Sequence, residues 1–504
     1  MQLKVMRMTS SRVRLAVAVT GVALLSAACG ARIDPALRTR AANAQLSQGS
    51  GGALTSSTSG GTTTGGTTGV TTTGGGTTGG TTGSSTTGGT TGGTATGGTS
   101  TTGTSGTTTG GTTGAPFSGD NGGATDVGVS ATSITVGNVA DQSGPVPGLF
   151  SSAAYGAQAY FAYINQQGGV FGRQFRLVAA DSQTDCTQTQ NAYRNLMDKV
   201  ISFVGSFGLY DQCGSQVLAQ NKTVSDLSYA LSKEHRVLDN NFSPAPSPIG
   251  YADGMFRFWA QKFPTEVLNV GTLYPNIPSA ALSHRYFKAT AESVGWKYIY
   301  EAAHGATQTT FQAELQQMKT KGVKLMFIAA ENAGNTAEIK KEADAQNFKP
   351  IFISPVAYAS DFLQRLGSTS AAEGIMGSSL YTMFFTNTDA QNIPEVALFQ
   401  QWMKNTHPND ALELYSMYSW AAAKMFVDAI KAVGPKLTRT ALYAQLKKLH
   451  NFDDNGFVVP TDPGAKKAGH CYILWKIHNG QYVRDETPAK GYRCDGSYYN
   501  YTGN

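Results

Sequence analysis

The run Ile134-Thr-Val-Gly-Asn-Val-Ala140 is short and rich in β-branched residues, and the turn-forming stretch Asp141-Gln-Ser-Gly-Pro-Val-Pro147 follows it. This order predicts a buried strand that ends in a loop. Apolar residues then recur at spacings of three and four between Phe150 and Gln167, which predicts a helix. Gly168-Gly169 ends that helix, and Gln174-Phe-Arg-Leu-Val-Ala-Ala180 predicts a second strand. The stretch is therefore a β-α-β unit.

The same alternation continues along the chain. Further strands are predicted at residues 200–205, 223–229, 267–274, 323–330 and 350–354. Further helices are predicted at residues 188–199, 214–220, 279–294, 310–321, 333–346 and 415–433. Strands separated by helices of this length favour crossover connections and a mostly parallel sheet. We therefore expect an α/β fold with two Rossmann-like lobes joined by a hinge, because the part after residue 126 exceeds the size of a single core.

Between Gln48 and Asp126, 28 of the 79 residues are Gly and 30 are Thr. Such a segment lacks the large apolar side chains that offset the entropy of ordering, so we expect a disordered tether over residues 29–126. The folded two-lobed domain then occupies residues 127–504. We expect a first lobe at about 130–242 with a late return near 360–435, and a second lobe at about 248–355 plus 440–485. Phe242 to Ser247, with two prolines, is the expected hinge crossing.

The charge of the folded part is nearly balanced. Seven of the 39 Lys and Arg and three of the 33 Asp and Glu lie in residues 1–126, which leaves 32 basic and 30 acidic groups. Nucleic-acid binding needs clustered excess positive charge, so this class of protein is disfavoured.

Four basic residues precede the apolar run Leu15 to Leu25, which Ser26-Ala-Ala-Cys29 follows. A basic stretch, a short apolar stretch and small residues predict a secretion signal over residues 1–28. The run is shorter than the roughly 20 residues of a membrane span, although an anchor helix stays an alternative. Its end resembles a bacterial lipoprotein signal with Cys29 as the lipidated residue. Ser26 stands where such signals usually carry Leu, so cleavage without lipidation also stays open.

Export places the remaining cysteines in an oxidising compartment, where an even set favours disulfides. Four cysteines allow three pairings, and proximity in sequence favours Cys186 with Cys213 and Cys471 with Cys494. None of the four lies in a Cys-x-x-Cys pair, so a zinc site is disfavoured. No metal site and no cofactor are expected.

Ligands of open parallel sheets bind beyond the carboxyl ends of the strands, and two such lobes face each other across a cleft. Loops that follow predicted strands therefore supply the candidate wall residues. The ligand-binding candidates are Ser143, Gly144, Leu209, Tyr210, Ala230, Ser232, Tyr274 and Glu331. Each also has a plainer interpretation as a turn-forming or packing residue.

Several motifs occur in one fixed order: the Ile134 strand, Ser143-Gly-Pro145, Gly156-Ala-Gln-Ala-Tyr-Phe-Ala-Tyr-Ile-Asn165, Gly168-Gly-Val-Phe-Gly-Arg173 and Leu177-Val-Ala-Ala-Asp181. This series resembles the type I periplasmic binding proteins of the branched-chain amino-acid class, which are the solute receptors of ABC importers. The likeness extends over roughly residues 130 to 485. The spacing of Cys186 and Cys213 is also similar to a first-lobe disulfide of some members.

The resemblance implies a two-lobed receptor without catalytic residues. It would close around one small polar solute, such as an amino acid or an amide, and present it to ABC permease and ATPase subunits. Such a receptor is expected to be a monomer that a lipid anchor holds at the extracytoplasmic face of the membrane. An extracytoplasmic hydrolase or a ligand sensor on the same fold is the alternative, although no Gly-x-Ser-x-Gly or His-Glu-x-x-His motif is present.

This sequence keeps only part of the amino-acid pocket that is usual in that family. Leu209 lies where such receptors usually offer a hydroxyl to the ligand carboxylate, which removes a hydrogen bond. Ser232 keeps a donor after the fourth strand. Glu331 lies where an ammonium partner would be expected, and a helix-capping role is the alternative. With Phe207, Tyr210 and Tyr274 nearby, a partly aromatic or amide-like solute is as reasonable as leucine.

Overall fold

A computed structural model describes residues 117–145 and 149–503 of the chain. The predicted signal at residues 1–28, the lipid-attachment residue Cys29 and the tether up to residue 116 lie outside the described residues. Those three expectations therefore stay predictions up to residue 116. Residues 117–126, expected to belong to the disordered tether, instead contact the first lobe, where the Arg173 guanidinium donates to the Gly123 carbonyl at 2.9 Å.

The first lobe is built on a four-stranded parallel sheet with the order β2-β1-β3-β4. Its strands are β1 (Ser133–Ala140), β2 (Gln174–Asp181), β3 (Ser202–Val204) and β4 (Ser225–Leu227). Its intervening helices are α1 (Ser152–Gln166), α2 (Cys186–Met197), α3 (Asp211–Gln220) and α4 (Lys233–Arg236). The register pairs Ser133 with Gln174 and Ala140 with Asp181, so β1 and β2 end together. The loops that follow them leave the sheet on one edge.

The second lobe contains a seven-stranded sheet with the order β12-β11-β10-β9-β8-β6-β7. Its strands are β6 (Val270–Pro275), β7 (Tyr298–His304), β8 (Leu325–Phe327), β9 (Ile351–Ile353), β10 (Met376–Ser379), β11 (Ile473–His478) and β12 (Gln481–Arg484). The strands β6 to β10 pair in parallel, and β11 and β12 add an antiparallel edge. A separate antiparallel pair joins β5 (Gly250–Ala252) to β13 (Tyr498–Asn500).

The remaining helices lie in the second lobe and in the part of the chain that returns to the first lobe. They are α5 (Gly254–Lys262), α6 (Pro278–Ser293), α7 (Gln312–Lys321), α8 (Ala333–Ala345), α9 (Phe362–Leu366), α10 (Thr369–Ala372), α11 (Asn387–Asn392), α12 (Pro394–Thr406), α13 (Leu414–Val433) and α14 (Arg439–Leu446). The alternation of strands and helices, with two mostly parallel sheets, confirms the predicted fold class.

The long helix α13 returns to the first lobe and packs along α1. A side chain at Gly156 of α1 would clash with the carbonyl oxygen of Ser416, so only glycine permits this approach. The hydroxyl of Ser419 accepts a hydrogen bond from the Ala157 N–H across the same contact, 3.1 Å away. The return helix is therefore locked to the first lobe at a point where two backbones touch.

Several elements, among them β10 and α14, lie on the other side of the expected lobe limits. Strand β10 falls in the return expected near 360–435 but pairs with β9 of the second sheet. Its sequence, Met-Gly-Ser-Ser, contains no β-branched residue, so the strand gives no signal of its own. Helix α14 falls in the segment expected in the second lobe, yet it packs against α13 and β4.

Three segments cross between the lobes and bond to one another. The N–H of Val459 donates to the carbonyl of Leu380, and Tyr381 and Val458 form an antiparallel bridge. The hydroxyl of Thr461 donates to the carbonyl of Pro244 at 2.9 Å, within the predicted Phe242–Ser247 crossing. The hinge therefore consists of three chain segments that hydrogen-bond to one another.

Both predicted disulfides are present. Cys186 bonds to Cys213, with their Cα atoms 5.4 Å apart, and joins the start of α2 to α3. Cys471 bonds to Cys494, with their Cα atoms 4.1 Å apart. This bridge joins the segment just before β11 to the segment just before β13. Each bridge closes a loop within one lobe.

Removing the first bridge by the double substitution Cys186→Ser and Cys213→Ser should lower the free energy of unfolding by about 3 to 4 kcal/mol. The bridge spans 27 residues, and the closure of such a loop restricts the unfolded chain by this amount. Urea denaturation of the two proteins without reductant measures the difference. A double variant as stable as the wild type would contradict the expectation.

Candidate functional site

A cavity of about 220 Å³ lies between the lobes, where the loops at the carboxyl ends of both sheets meet. The first lobe and α13 contribute the aromatic wall residues Phe150, Phe207, Tyr229, Tyr415 and Tyr418. The second lobe and β5 contribute Tyr251, Tyr286, Phe287 and Tyr381. The cavity lining is therefore rich in aromatic side chains, which come from both lobes.

The aromatic side chains of the first wall form a continuous stack. The rings of Phe207 and Tyr229 lie 5.1 Å apart and almost parallel, and those of Tyr229 and Tyr418 lie 4.8 Å apart. Tyr415 meets Phe207 edge to face at 4.8 Å. Such offset and edge contacts fix the rings in place. Burial raises the pKa of Tyr229, so its hydroxyl stays protonated and can donate a hydrogen bond.

The start of α6 forms part of the opposite wall. Ile277, Ser279, Ala280 and Ser283 all line the cavity there. The Ser283 hydroxyl accepts a hydrogen bond from the Tyr286 hydroxyl at 3.2 Å. The Ser279 hydroxyl, in a residue that is 5% exposed, has no hydrogen-bond partner among the described residues.

Strand β10 supplies a second buried hydroxyl without a partner. Ser379 lines the cavity, is 2% exposed, and its hydroxyl bonds to none of the described residues. In the sheet, β10 lies three strands from β6, about 14 Å away.

Glu331 lines the cavity, but donors from the protein occupy its carboxylate. One oxygen lies 2.6 Å from Nε2 of His304. The other accepts hydrogen bonds from the backbone N–H of Asn332 and from the side-chain amides of Asn332 and Asn335. Burial alone would lower the pKa of His304, but the hydrogen bond to Glu331 outweighs it and raises that pKa. The pair is thus a buried ion pair at the start of α8.

Asp141 organises the loops of the first lobe. Its carboxylate accepts hydrogen bonds from the Ser182 hydroxyl, the Thr184 N–H and the Leu209 N–H. These three residues follow β2 and β3, while Asp141 itself follows β1. Burial raises the pKa of Asp141. One carboxyl group therefore sets the position from which the Leu209 side chain lines the cavity.

A second buried group supports the loop after β4. Nε2 of His235 lies 2.6 Å from the Asp226 carboxylate, and Nδ1 lies 3.3 Å from the Asp211 carboxylate. Asp211 also accepts hydrogen bonds from the N–H groups of Leu231 and Ser232. Burial alone would lower the pKa of His235, but the two carboxylates raise it to about 10. A buried imidazolium between two aspartates therefore holds this wall.

Comparison with known proteins bears on this arrangement. A sequence profile described as periplasmic binding protein matches residues 133–481. The chain belongs to the periplasmic binding protein family.

Solved structures share the fold of this binding protein at low sequence identity. A fatty acid ABC transporter substrate-binding protein from Thermomonospora curvata is 18% identical, covers 75% of this chain and 95% of its own, and has a TM-score of 0.60. A branched-chain amino acid ABC transporter protein from Thermus thermophilus with bound valine is 16% identical, with coverage of 70% and 95% and a TM-score of 0.61.

A third similar structure is the branched-chain amino acid substrate-binding protein LivJ from Streptococcus pneumoniae in complex with isoleucine. It is 16% identical, covers 70% of this chain and all of its own, and has a TM-score of 0.57. No curated protein sequence matches this chain significantly. The family match and the shared fold confirm the predicted type I periplasmic binding protein.

Two of the eight candidate binding residues, Leu209 and Glu331, line the inter-lobe cavity of this binding protein. Ser143 instead donates its hydroxyl to Asp181, and Gly144 packs against the backbone of Gln183. Both belong to an exposed turn that follows Asp141.

The other four candidates lie outside this cavity as well. Tyr274 stacks on His284 at 4.2 Å, and Tyr210 lies at the N-terminal boundary of α3. The Ser232 hydroxyl caps α4 by accepting from the His235 N–H. Ala230 lines a separate cavity behind the hinge, beside Arg236.

Several lining residues were not among the sequence candidates. Tyr229 lies within the loop already considered after the fourth strand, but its neighbours Ala230 and Ser232 were chosen instead. Tyr415 and Tyr418 belong to the return helix, where aromatic residues at helical spacing usually indicate packing. Ser279 and Ser379 carry no signal in the sequence, because a serine near a helix start or in a short strand is common.

Neither a membrane span nor a metal centre is visible in the part of the chain that the structure describes. Across residues 117–145 and 149–503, none of the helices has the length and hydropathy that a bilayer crossing needs. Within the same ranges, no three His, Cys, Asp or Glu side chains cluster closely enough to hold a metal ion.

The substitution His235→Gln should lower the free energy of unfolding at pH 7 by about 3 to 5 kcal/mol, because it leaves two buried aspartates without their cation. The folded-state pKa of about 10 exceeds the ordinary value of 6.5. The contribution of His235 is therefore complete below about pH 6.5 and is lost as the pH rises toward 10. Urea denaturation between pH 6 and 10 measures both effects.

The matched control is His450→Gln, since His450 is half exposed and pairs with Asp462 at the surface. That exposed pair should contribute less than about 1 kcal/mol. Equal losses in the two variants, or a wild-type stability that does not decline above pH 7, would show that the buried imidazolium does not hold the loop.

Proposed function

We propose that this binding protein is the extracytoplasmic solute receptor of an ABC importer. The observation that carries the proposal is the inter-lobe cavity, because both lobes contribute to its walls, as with Tyr229 and Ser279. A solute in this position contacts both lobes only when they are closed, so its binding shifts the population toward the closed form. The closed form would then present the solute to a permease with its ATPase subunits.

Solved structures of the same fold support a receptor function. The names of these proteins include a fatty acid substrate-binding protein and complexes with valine and with isoleucine. Their solutes differ in chemistry, so the fold alone does not select one. For this chain the sequence suggests an amino acid, an amide or a related compound, and the size of the cavity suits one small solute.

The location that we propose follows from the N-terminal sequence. A lipid on Cys29 would anchor the protein at the extracytoplasmic face of the cell membrane. The 69 residues from Gln48 to Pro116 would have a root-mean-square span of roughly 45 Å as a flexible linker. A monomeric receptor on such a tether would sample solute and permease without leaving the surface.

A solute that the cavity binds should compact the protein and stabilise it. At one hundred times its dissociation constant, the solute adds about 2.7 kcal/mol to the free energy of unfolding. A thermal-shift screen of amino acids, amides and carboxylic acids, followed by small-angle scattering with each hit, measures both changes. A hit that is chemically converted, or scattering profiles that never change, would contradict the receptor function.

The cavity is tested by Tyr229→Ala with Tyr274→Ala as its control. Tyr229 lies between Phe207 and Tyr418 in the cavity wall, so its removal should weaken binding of a hit about tenfold. Tyr274 stacks on His284 away from the cavity, and its loss should leave the affinity unchanged. Calorimetric titration measures the two affinities, and equal effects would place the solute elsewhere.

Lipid anchoring is tested by Cys29→Ala. A thioether-linked lipid buries its methylene groups in the membrane at about 0.8 kcal/mol each, so its loss should release the protein from the membrane fraction. Fractionation of cells that express either form, followed by immunoblotting, measures the change. An unchanged distribution would favour signal cleavage without lipidation or an anchor helix.

A further inference from the structure

The N-terminus of α6 faces the cavity with unpaired backbone donors. The helix begins at Pro278, which has no N–H, and its cap residue Ile277 has no side-chain oxygen to accept from the first turn. The N–H of Ile277 donates to Pro275 and that of Ala281 donates to Ile277. The N–H groups of Ser279 and Ala280 have no partner among the described residues.

The Ser279 side chain adds an independent observation. The residue lines the cavity and is 5% exposed, and its hydroxyl bonds to none of the described residues. A buried hydroxyl normally finds a partner, because leaving it unpaired costs free energy. Two backbone N–H groups and one hydroxyl, all without partners among the described residues, therefore belong to adjacent residues that line the cavity.

The electrostatics of this wall favour a negative charge. The sixteen-residue helix α6 carries partial positive charge at its N-terminus.

The described lining residues offer no unpaired carboxylate to an ammonium group. Glu331 is the one carboxylate among the described lining residues, and one of its oxygens pairs with His304. Its other oxygen already accepts three N–H groups. The facing wall is the aromatic stack of Phe207, Tyr229 and Tyr418, which suits an apolar or aromatic body.

From these contacts we propose that the start of α6, at Ser279 and Ala280, binds the carboxylate of an apolar or aromatic monocarboxylate that has no ammonium group. This inference rests on the proposed receptor function and narrows its solute. The carboxylate accepts from the two N–H groups and the Ser279 hydroxyl, while the apolar body lies against the aromatic stack of the first lobe. The same solute thereby joins the two lobes.

Three matched probes test the ligand class on the wild-type protein by calorimetric titration. They are 3-phenylpropionate, its primary amide and L-phenylalanine, and octanoate serves as an alkyl counterpart. The amide lacks the negative charge, so it should bind about tenfold more weakly than 3-phenylpropionate. L-phenylalanine differs from 3-phenylpropionate by its ammonium group and should also bind at least about tenfold more weakly, because that cation would be buried unpaired.

A pair of isosteric substitutions tests the subsite itself. Ser279→Asp places a carboxylate at the helix N-terminus, which stabilises the helix and occupies its donors. Ser279→Asn has the same shape without the charge. The aspartate variant should bind 3-phenylpropionate at least about tenfold more weakly than the asparagine variant, whereas the amide should distinguish them little. Thermal unfolding of both variants checks that they fold.

The opposite results would overturn the inference. They are an L-phenylalanine affinity equal to or above that of 3-phenylpropionate, an amide that binds as well as the acid, or equal binding of the acid by the two variants. Failure of both acids to bind would also overturn it. In that case a different solute that compacts the protein would leave the receptor function intact, while the absence of any such solute would end both proposals.

Discussion

The contact between α1 and α13 is the constraint on which the rest of this binding protein depends. At Gly156 the two helices touch backbone to backbone, and the Ser419 hydroxyl bonds across the contact. Because α13 follows a crossing from the second lobe, this contact fixes how the returning chain lies on the first lobe. The helix also carries Tyr415 and Tyr418 into the cavity wall. The packing of two helices thus determines half of the aromatic stack.

The buried charged groups of the first lobe bind its loops, and the cavity itself is lined mainly by apolar groups. Asp141 gathers the segments that follow three strands, and His235 with two aspartates holds the segment that follows the fourth. In the second lobe, His304 neutralises Glu331 in the same way. Each of these charged groups is paired or hydrogen-bonded within the protein. Hydroxyls, backbone donors and ring faces are therefore the groups that remain to recognise a solute. Such groups discriminate by shape and by hydrogen bonding.

The sequence predicted more of the fold than of the candidate site. Long β-branched runs and helices with clear periodicity indicated the two mostly parallel sheets, and proximity predicted both disulfide pairings. Strand β10 could not be found, because Met376 to Ser379 gains its strand conformation from pairing with neighbours on either side. The position of α14 depends on tertiary packing against α13, which no local pattern encodes. Of the candidates, Leu209 and Glu331 line the cavity. Ser279 and Ser379 could not be singled out from the sequence, because their lack of hydrogen-bond partners depends on how they are buried.

The three hydrogen-bonded crossings make each lobe discontinuous along the chain. Synthesis supplies the strands of the first sheet early, but α13, which covers one face of them, ends only at Val433. A nascent chain would therefore expose the apolar face of α1 until most of the protein had left the ribosome. Delayed completion of a domain favours transport of the chain before it folds, since domains form as units once all their parts are available. The topology that builds the cleft would in this way also keep the polypeptide in a state that a translocation channel accepts.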